Sequence, residues 1–265
     1  MGDVAGDSGQ APPEFLKVDG PGERAPTRRG RLLVPILVAI VVVLLLAGGL
    51  ILVVGRHNAA VSNELRASGI PANVPTGLAN QMLLSPVPAR PAPEFKLVDQ
   101  NGRPITLASF RGKVVVLEFM DPHCIDICPI VSQEYLEANH DMGAGANGVV
   151  FLAVNVNQYH SRVADMTAFS REQGLVSLPS WHFLTGPVPL LRKVWRDYGV
   201  EVEAPRRNAD IIHTSIVYFI DKRGAERYVG SPMDDHTASG TAYLPASQLS
   251  SWGRGIALVA KDLAA

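Results

Sequence analysis

The longest apolar run of the chain, Leu32 to Val54, contains no charged side chain. About 20 consecutive apolar residues suffice to cross a bilayer as a helix, so the run predicts a transmembrane helix over residues 32–54. A cleaved signal peptide is the alternative, but its apolar region is shorter. The long polar segment that precedes the run favours an uncleaved anchor.

The two flanks of this run differ in charge. The N-terminal flank carries four arginines: Arg24, Arg28, Arg29 and Arg31. The other flank offers only Arg56 and Arg66. The positive-inside rule therefore predicts a single-pass cell-membrane protein with a cytoplasmic N-terminus. The rest of the chain is expected outside the cytoplasm, where thiols are not kept reduced by glutathione.

Composition divides the remaining chain into three parts. Residues 1–31 are rich in Gly, Pro, Asp and Arg, which predicts a disordered cytoplasmic tail. Residues 55–93 contain six prolines, which predicts a semi-extended tether. Residues 94–265 alternate between strand and helix patterns and are expected to form the folded domain.

Within residues 94–265, the pattern predicts a β-hairpin, then βαβα units, then two strands and a helix. Asn101-Gly102 between short apolar runs marks the hairpin turn. The continuous apolar runs Val114–Phe119 and Val149–Val156 predict buried parallel strands. Ile211–Ile220 leads into a third core strand, and this order predicts a mixed sheet with helices on both faces.

Cys124 and Cys128 are the only cysteines, and they follow the first buried strand at the start of a predicted helix. Residues four apart lie on one face of a helix, and a helix N-terminus favours thiolate over thiol. The pair therefore suits a soft metal ion or disulfide exchange. A structural cysteine pair is the simpler alternative, but the mouth of a strand–loop–helix unit is where α/β folds place their chemistry.

A cysteine pair in the loop after the first buried strand resembles the thioredoxin arrangement. His213 precedes the third core strand, at the place where thioredoxins carry a proline opposite the cysteines. It is therefore a candidate third ligand, with Asp210 as a candidate acceptor for its other ring nitrogen. A loop histidine bonded to the backbone is the alternative.

The net charge of −1 gives no case for nucleic acid binding.

Several motifs resemble known families. Residues 95–102 and 110–113 are similar to motifs of several extracytoplasmic thioredoxin-fold families. The Sco/SenC family carries Cys-Pro-Asp-Val-Cys-Pro, which Cys-Ile-Asp-Ile-Cys-Pro at 124–129 resembles. That family also carries Asp-His-Ser followed by Tyr-Leu-Ile-Asp and Gly, which residues 212–215 and 218–224 resemble.

The resemblance covers roughly Pro93 to Val229 and implies a thioredoxin-like α/β fold. It implies one copper ion per domain, bound by Cys124, Cys128 and His213. It also implies a copper chaperone, a thiol reductase with Cys124 and Cys128 as its catalytic residues, or both. The process served would be assembly of the copper centre of cytochrome c oxidase. The expected partner is a copper-accepting membrane oxidase subunit or another copper or thiol protein.

Two positions depart from the family pattern: Ile125 replaces a proline and Ile212 replaces an aspartate. A metal-independent extracytoplasmic thiol–disulfide oxidoreductase is the alternative function, because it needs both cysteines but not His213. A peroxidase of the peroxiredoxin kind fits Cys128-Pro129. That reading expects a threonine three residues before the cysteine, and Ile125 stands there instead.

Overall fold

The computed structural model describes residues 30–67 and 69–265. Most of the predicted disordered tail, residues 1–29, lies outside the described residues. The chain divides into two compact units, with the boundary between Arg56 and His57.

The first unit is described by helix α1 (Gly30–Ala67), which continues past the boundary. The helix extends beyond the predicted 32–54 at both ends. Its segment Ile36–Ala60 has a mean hydropathy of 3.3 and is not buried by the rest of the described chain. By length and composition, this helix is a candidate for a membrane span.

The second unit alternates strands and helices. Its further helices are α2 (Thr76–Gln81), α3 (Ile127–Met142), α4 (Val163–Glu172), α5 (Val188–Tyr198) and α6 (Ala246–Ala264). Its strands are β1 (Ser85–Pro91), β2 (Lys96–Val98), β3 (Pro104–Thr106), β4 (Val114–Met120), β5 (Val149–Asn155), β6 (Trp181–Leu184), β7 (Val202–Glu203), β8 (Ile212–His213), β9 (Val217–Ile220), β10 (Ala225–Gly230), β11 (Asp235–His236) and β12 (Ala242–Tyr243).

Six strands form the central sheet in the order β1-β10-β9-β4-β5-β6. Strands β4, β5 and β6 are parallel, whereas β9, β10 and β1 join through antiparallel pairs. This confirms the predicted mixed sheet. Because β9 runs opposite to β4, with Leu117 paired to Tyr218, the chain entering β9 lies beside the carboxyl end of β4.

Side chains of β4 alternate between two apolar clusters, as expected for a strand buried on both faces. Val116 belongs to the cluster that contains side chains of α3, α4 and α6, and Phe119 to the cluster of α5 and the β2–β3 hairpin. The three tryptophans, Trp181, Trp195 and Trp252, are all buried. Helices therefore cover both faces, and the site must lie at an edge of the sheet.

The folded unit includes part of the predicted tether. Strand β1 pairs with β10, and Met82 and Leu84 are buried in the core. Proline is compatible with β1 because this strand lies at the sheet edge, where a missing N–H breaks few ladder bonds. The fold therefore begins before Glu94, contrary to the predicted boundary.

Candidate metal centre

Both cysteines lie where β4 ends and α3 begins. The Cys124 amide donates to the Asp121 carbonyl oxygen at 3.1 Å, which fixes the loop between strand and helix. Cys128 is the second residue of α3, so the helix begins within one residue of the predicted start. Cys124 is half-buried, whereas Cys128 is only 2% exposed, and both are free thiols. One thiol is therefore accessible from outside and the other lies beneath it.

The two thiols differ in their proton affinity. A hydrogen bond from the Cys128 thiol, assisted by the Cys128 backbone N–H 3.5 Å from the Cys124 sulfur, lowers the pKa of Cys124 to about 7. The same hydrogen bond and complete burial raise the pKa of Cys128. At pH 7, about half of Cys124 is therefore thiolate while Cys128 keeps its proton, so Cys124 is the nucleophile of the pair.

This difference predicts the pH profile of thiol alkylation. In the reduced, metal-free chain, iodoacetamide should modify Cys124 with a midpoint near pH 7, whereas an unperturbed thiol titrates at about 8.5. Because the thiolate is the attacking form, Cys124 should react well below the pH that Cys128 requires. Peptide mass spectrometry across pH 5–10 measures both sites.

Cys128→Ala supplies the control for this profile, because it removes the thiol that donates to Cys124. The Cys124 midpoint should then rise toward the ordinary value. Equal modification of both cysteines at one pH in the wild-type chain would contradict the assignment.

A buried carboxyl group lies close to the cysteines. Glu118, in the middle of β4, is 1% exposed, and its burial raises its pKa to about 8. Ser215 Oγ donates to Glu118 Oε1 at 3.1 Å and so ties the segment after His213 to β4. The sequence analysis did not single out Glu118. The available signal was a lone charged residue inside a continuous apolar run.

His213 lies in the short β7–β8 hairpin, paired with Val202. Its Nδ1 is 3.0 Å from the Thr214 carbonyl oxygen. A carbonyl only accepts, so Nδ1 carries the proton and Nε2 keeps the lone pair that a metal requires. Burial lowers the pKa of His213, which favours the neutral ring. The predicted acceptor Asp210 does not fill this position, because the backbone of Thr214 already does.

The topology brings His213 and the cysteine loop to the same edge of the sheet. The charge of Asp121 partly opposes the lowering of the pKa of both His213 and Cys124, which places it near each of them. Within residues 30–67 and 69–265, however, the three predicted copper ligands do not form a group whose ligand atoms all lie within 4.8 Å of one another. Cys124, Cys128 and His213 therefore stay a predicted ligand set, and binding one ion would require these loops to close.

The donor atoms fit a particular kind of metal. Two cysteine sulfurs are soft ligands that select Cu(I), and a neutral imidazole supports copper in either common oxidation state. The opposite faces of the sheet are covered by apolar side chains. The edge at the end of β4 therefore combines soft donors, an accessible thiolate and a neutral histidine.

Part of this sequence is similar to known proteins. The family model described as SCO1/SenC matches residues 86–239. The chain is 28% identical over 137 residues to the mitochondrial SCO2 homolog of Bos taurus, covering 49% of this chain and 50% of that protein. It is 24% identical over 148 residues to the SCO1 protein homolog of Bacillus subtilis, covering 53% and 76%. The match therefore spans about half the length of the mitochondrial relative.

Solved structures share the fold. The structure of Bradyrhizobium japonicum ScoI with copper bound has a TM-score of 0.51 at 26% identity, covering 66% of this chain and 99% of that chain. A SCO1/SenC family lipoprotein from Bacillus anthracis has a TM-score of 0.50 at 24% identity, covering 55% and 86%, which shows the thioredoxin-like fold alone. Since the family model matches more than half of its residues, the chain belongs to the SCO1/SenC family.

Proposed function

We propose that this protein is a membrane-anchored, extracytoplasmic copper-binding protein that serves in the assembly of the copper centre of cytochrome c oxidase. Membership of the SCO1/SenC family carries this proposal. The copper-bound structure of Bradyrhizobium japonicum ScoI supports copper as the cargo. The copper-accepting partner is then a membrane oxidase subunit.

In this proposal, Cys124, Cys128 and His213 hold one copper ion. Cys124 has the lower pKa of the two thiols, is already partly deprotonated at neutral pH, and takes the metal first. Cys128 then loses its proton as the metal replaces it between the two sulfurs. His213 supplies Nε2, because its Nδ1–H is bonded to the Thr214 carbonyl oxygen.

The same cysteines also support a thiol reductase activity. The Cys124 thiolate attacks one sulfur of a client disulfide, forms a mixed disulfide and releases the client's other sulfur as a thiolate. Cys128 then gives up its proton and attacks Cys124, which frees the second client thiolate. The client is reduced and this chain is oxidised to a disulfide. A client copper site whose cysteines have oxidised would be prepared in this way.

The apolar segment Ile36–Ala60 and the arginines before it support the anchor. With the N-terminus in the cytoplasm, the residues after the helix lie outside it. The redox-active cysteines then work in a compartment where disulfides persist.

Complementation of a strain that lacks the protein tests this function. The wild-type chain should restore oxidase activity and the copper content of the purified oxidase, whereas Cys124→Ser and His213→Ala should not. His140→Ala is the matched control, because His140 is exposed in the last turn of α3, away from the cysteines. Full restoration by His213→Ala but none by Cys124→Ser would instead support a metal-independent oxidoreductase.

A further inference from the structure

We propose that His123, His160 and Asp165 form a second metal site, which binds Cu²⁺ and is separate from the cysteine pair. One ligand atom from each residue lies within 4.8 Å of the other two. The two imidazole rings are in contact, with centroids 3.8 Å apart and planes inclined by 42°. This inference goes beyond the proposed function and does not depend on it.

The three residues come from separate segments that meet at one edge of the sheet. His123 follows β4, His160 follows β5, and Asp165 lies in the first turn of α4. The carboxyl edge of parallel strands is where α/β folds assemble their sites. His123 is also the neighbour of Cys124, and His123, Cys124 and Asp165 line one open groove. The second site therefore lies beside the cysteine pair.

A buried hydrogen-bond network holds both histidine-bearing loops. Asp121 Oδ1 accepts from the His123 amide at 2.8 Å and from Asn157 Nδ2 at 2.9 Å. Asn157 Oδ1 accepts from the His160 amide at 3.2 Å, and Asn155 Nδ2 donates to the His160 carbonyl oxygen at 2.9 Å. The backbone of each histidine is therefore fixed before any ion arrives, which lowers the entropy cost of binding.

Asp165 supplies an anionic donor. Its side chain is 8% exposed, and it forms an ion pair with Arg162 at 3.0 Å. The Arg162 side chain is 81% exposed, so it can leave the carboxylate for water when a cation takes its place. An ion pair with so exposed a guanidinium contributes little to stability, and a metal ligand bond readily outweighs it.

The ligand atoms of this second site favour a different metal ion from the one that the cysteine pair favours. Two imidazole nitrogens and a carboxylate oxygen suit first-row divalent ions, and Cu²⁺ binds such donors most tightly in that series. Donors about 2 Å from a common ion are at most about 4 Å apart, so small side-chain rotations would close the group around it. The thiolates instead favour Cu(I). The groove therefore places nitrogen and oxygen donors that suit Cu²⁺ beside the soft sulfur donor of Cys124.

Titration of Cu²⁺ into the full chain in detergent, with the cysteine pair disabled as Cys124→Ser/Cys128→Ala, tests the site. One Cu²⁺ should bind, and its electron paramagnetic resonance spectrum should show superhyperfine coupling to two imidazole nitrogens. Adding His160→Ala should lower the affinity at least about tenfold and leave coupling to one nitrogen, since altered metal environments cost about 10- to 100-fold.

His140→Ala in the same background is the matched control. His140 is 85% exposed and also stands near a carboxylate, with Nδ1 3.6 Å from Asp141 Oδ1, but it lies outside the cluster. Its removal should leave both affinity and spectrum unchanged. If His160→Ala titrates like His140→Ala, or the background binds no Cu²⁺, the site is overturned. If circular dichroism shows no cooperative thermal unfolding of the double variant, the same comparison is made in Cys124→Ser alone.

Discussion

Replacing Cys124 with serine is expected to lower the Cu(I) affinity of the reduced chain at least about a hundredfold. Loss of an outer partner already costs metal sites about 10- to 100-fold, and a missing thiolate removes a ligand itself. Serine cannot replace it, because its hydroxyl is a harder donor that stays protonated at neutral pH. Cys128 alone is a poor site, because the burial that helps to raise its pKa in the wild-type chain persists in the variant.

Anaerobic competition with a coloured Cu(I) chelator measures this loss in the full chain in detergent. His213→Ala should weaken binding by about tenfold or more while leaving both sulfurs in place. His140→Ala should bind like the wild-type chain. An affinity unchanged in Cys124→Ser would remove the cysteine pair from the copper site. An affinity unchanged only in His213→Ala would leave a two-sulfur site without the histidine.

The elements that could be predicted from the sequence are those that depend on local signals. The apolar runs of β4 and β5, the Asn101-Gly102 turn and the helix after the cysteines all carry their own short-range patterns. Such patterns fix which faces of each element are buried, and the burial fixes the layers of the sheet. The fold class and the place of Cys124 and Cys128 could therefore be predicted without coordinates.

The parts that could not be predicted depend on contacts between distant segments. The cluster of His123, His160 and Asp165 joins two loops and the first turn of α4, and the spacing of these residues in the sequence carries no metal-ligand pattern. Asp121 and Asn157 connect two of these loops through a buried hydrogen bond that neither sequence segment reveals. Only the parallel pairing of β4 and β5 brings these loops to one edge.

The Pro-rich segment that forms β1 could not be predicted as a strand for a related reason. Proline-rich composition is typical of a tether, and the sequence does not show that β10 lies free to accept an edge strand. In the structure, Ser85 pairs with Val229, and Pro91 pairs with Ala225 across an irregular register. An edge position tolerates proline because one side of the strand has no partner. Composition thus gave the wrong role to a segment whose role depends on tertiary pairing.

Removal of the residues before Glu94 is consequently expected to prevent cooperative folding of the thioredoxin-like unit. Buried apolar side chains are lost with this segment: Ile70, Val74, Leu78, Ala79, Met82, Leu84 and Ala92. Burial of a large apolar side chain contributes about 1.5–3 kcal/mol. The sum is on the order of 10 kcal/mol, which is comparable with the whole stability of a typical domain.

Met82 shows how closely this segment is packed. The residue is fully buried, and its carbonyl oxygen accepts from the Ser231 amide at 3.0 Å, just beyond β10. A side chain at Gly255 of α6 would collide with the Met82 sulfur, because the Cβ would overlap it. The segment thus fills the space between α6 and the edge of the sheet, and no other described residue occupies that place.

A fragment of residues 57–265 should therefore show a single cooperative thermal transition by circular dichroism and dispersed amide resonances by NMR. A fragment of residues 94–265 should show neither. Met82→Ala in the longer fragment is the graded control, with an expected loss of about 2–5 kcal/mol in the free energy of unfolding. If both fragments melt at the same temperature, β1 and α2 are not required for folding of the unit. An unfolded shorter fragment would instead show that copper measurements require the residues before Glu94.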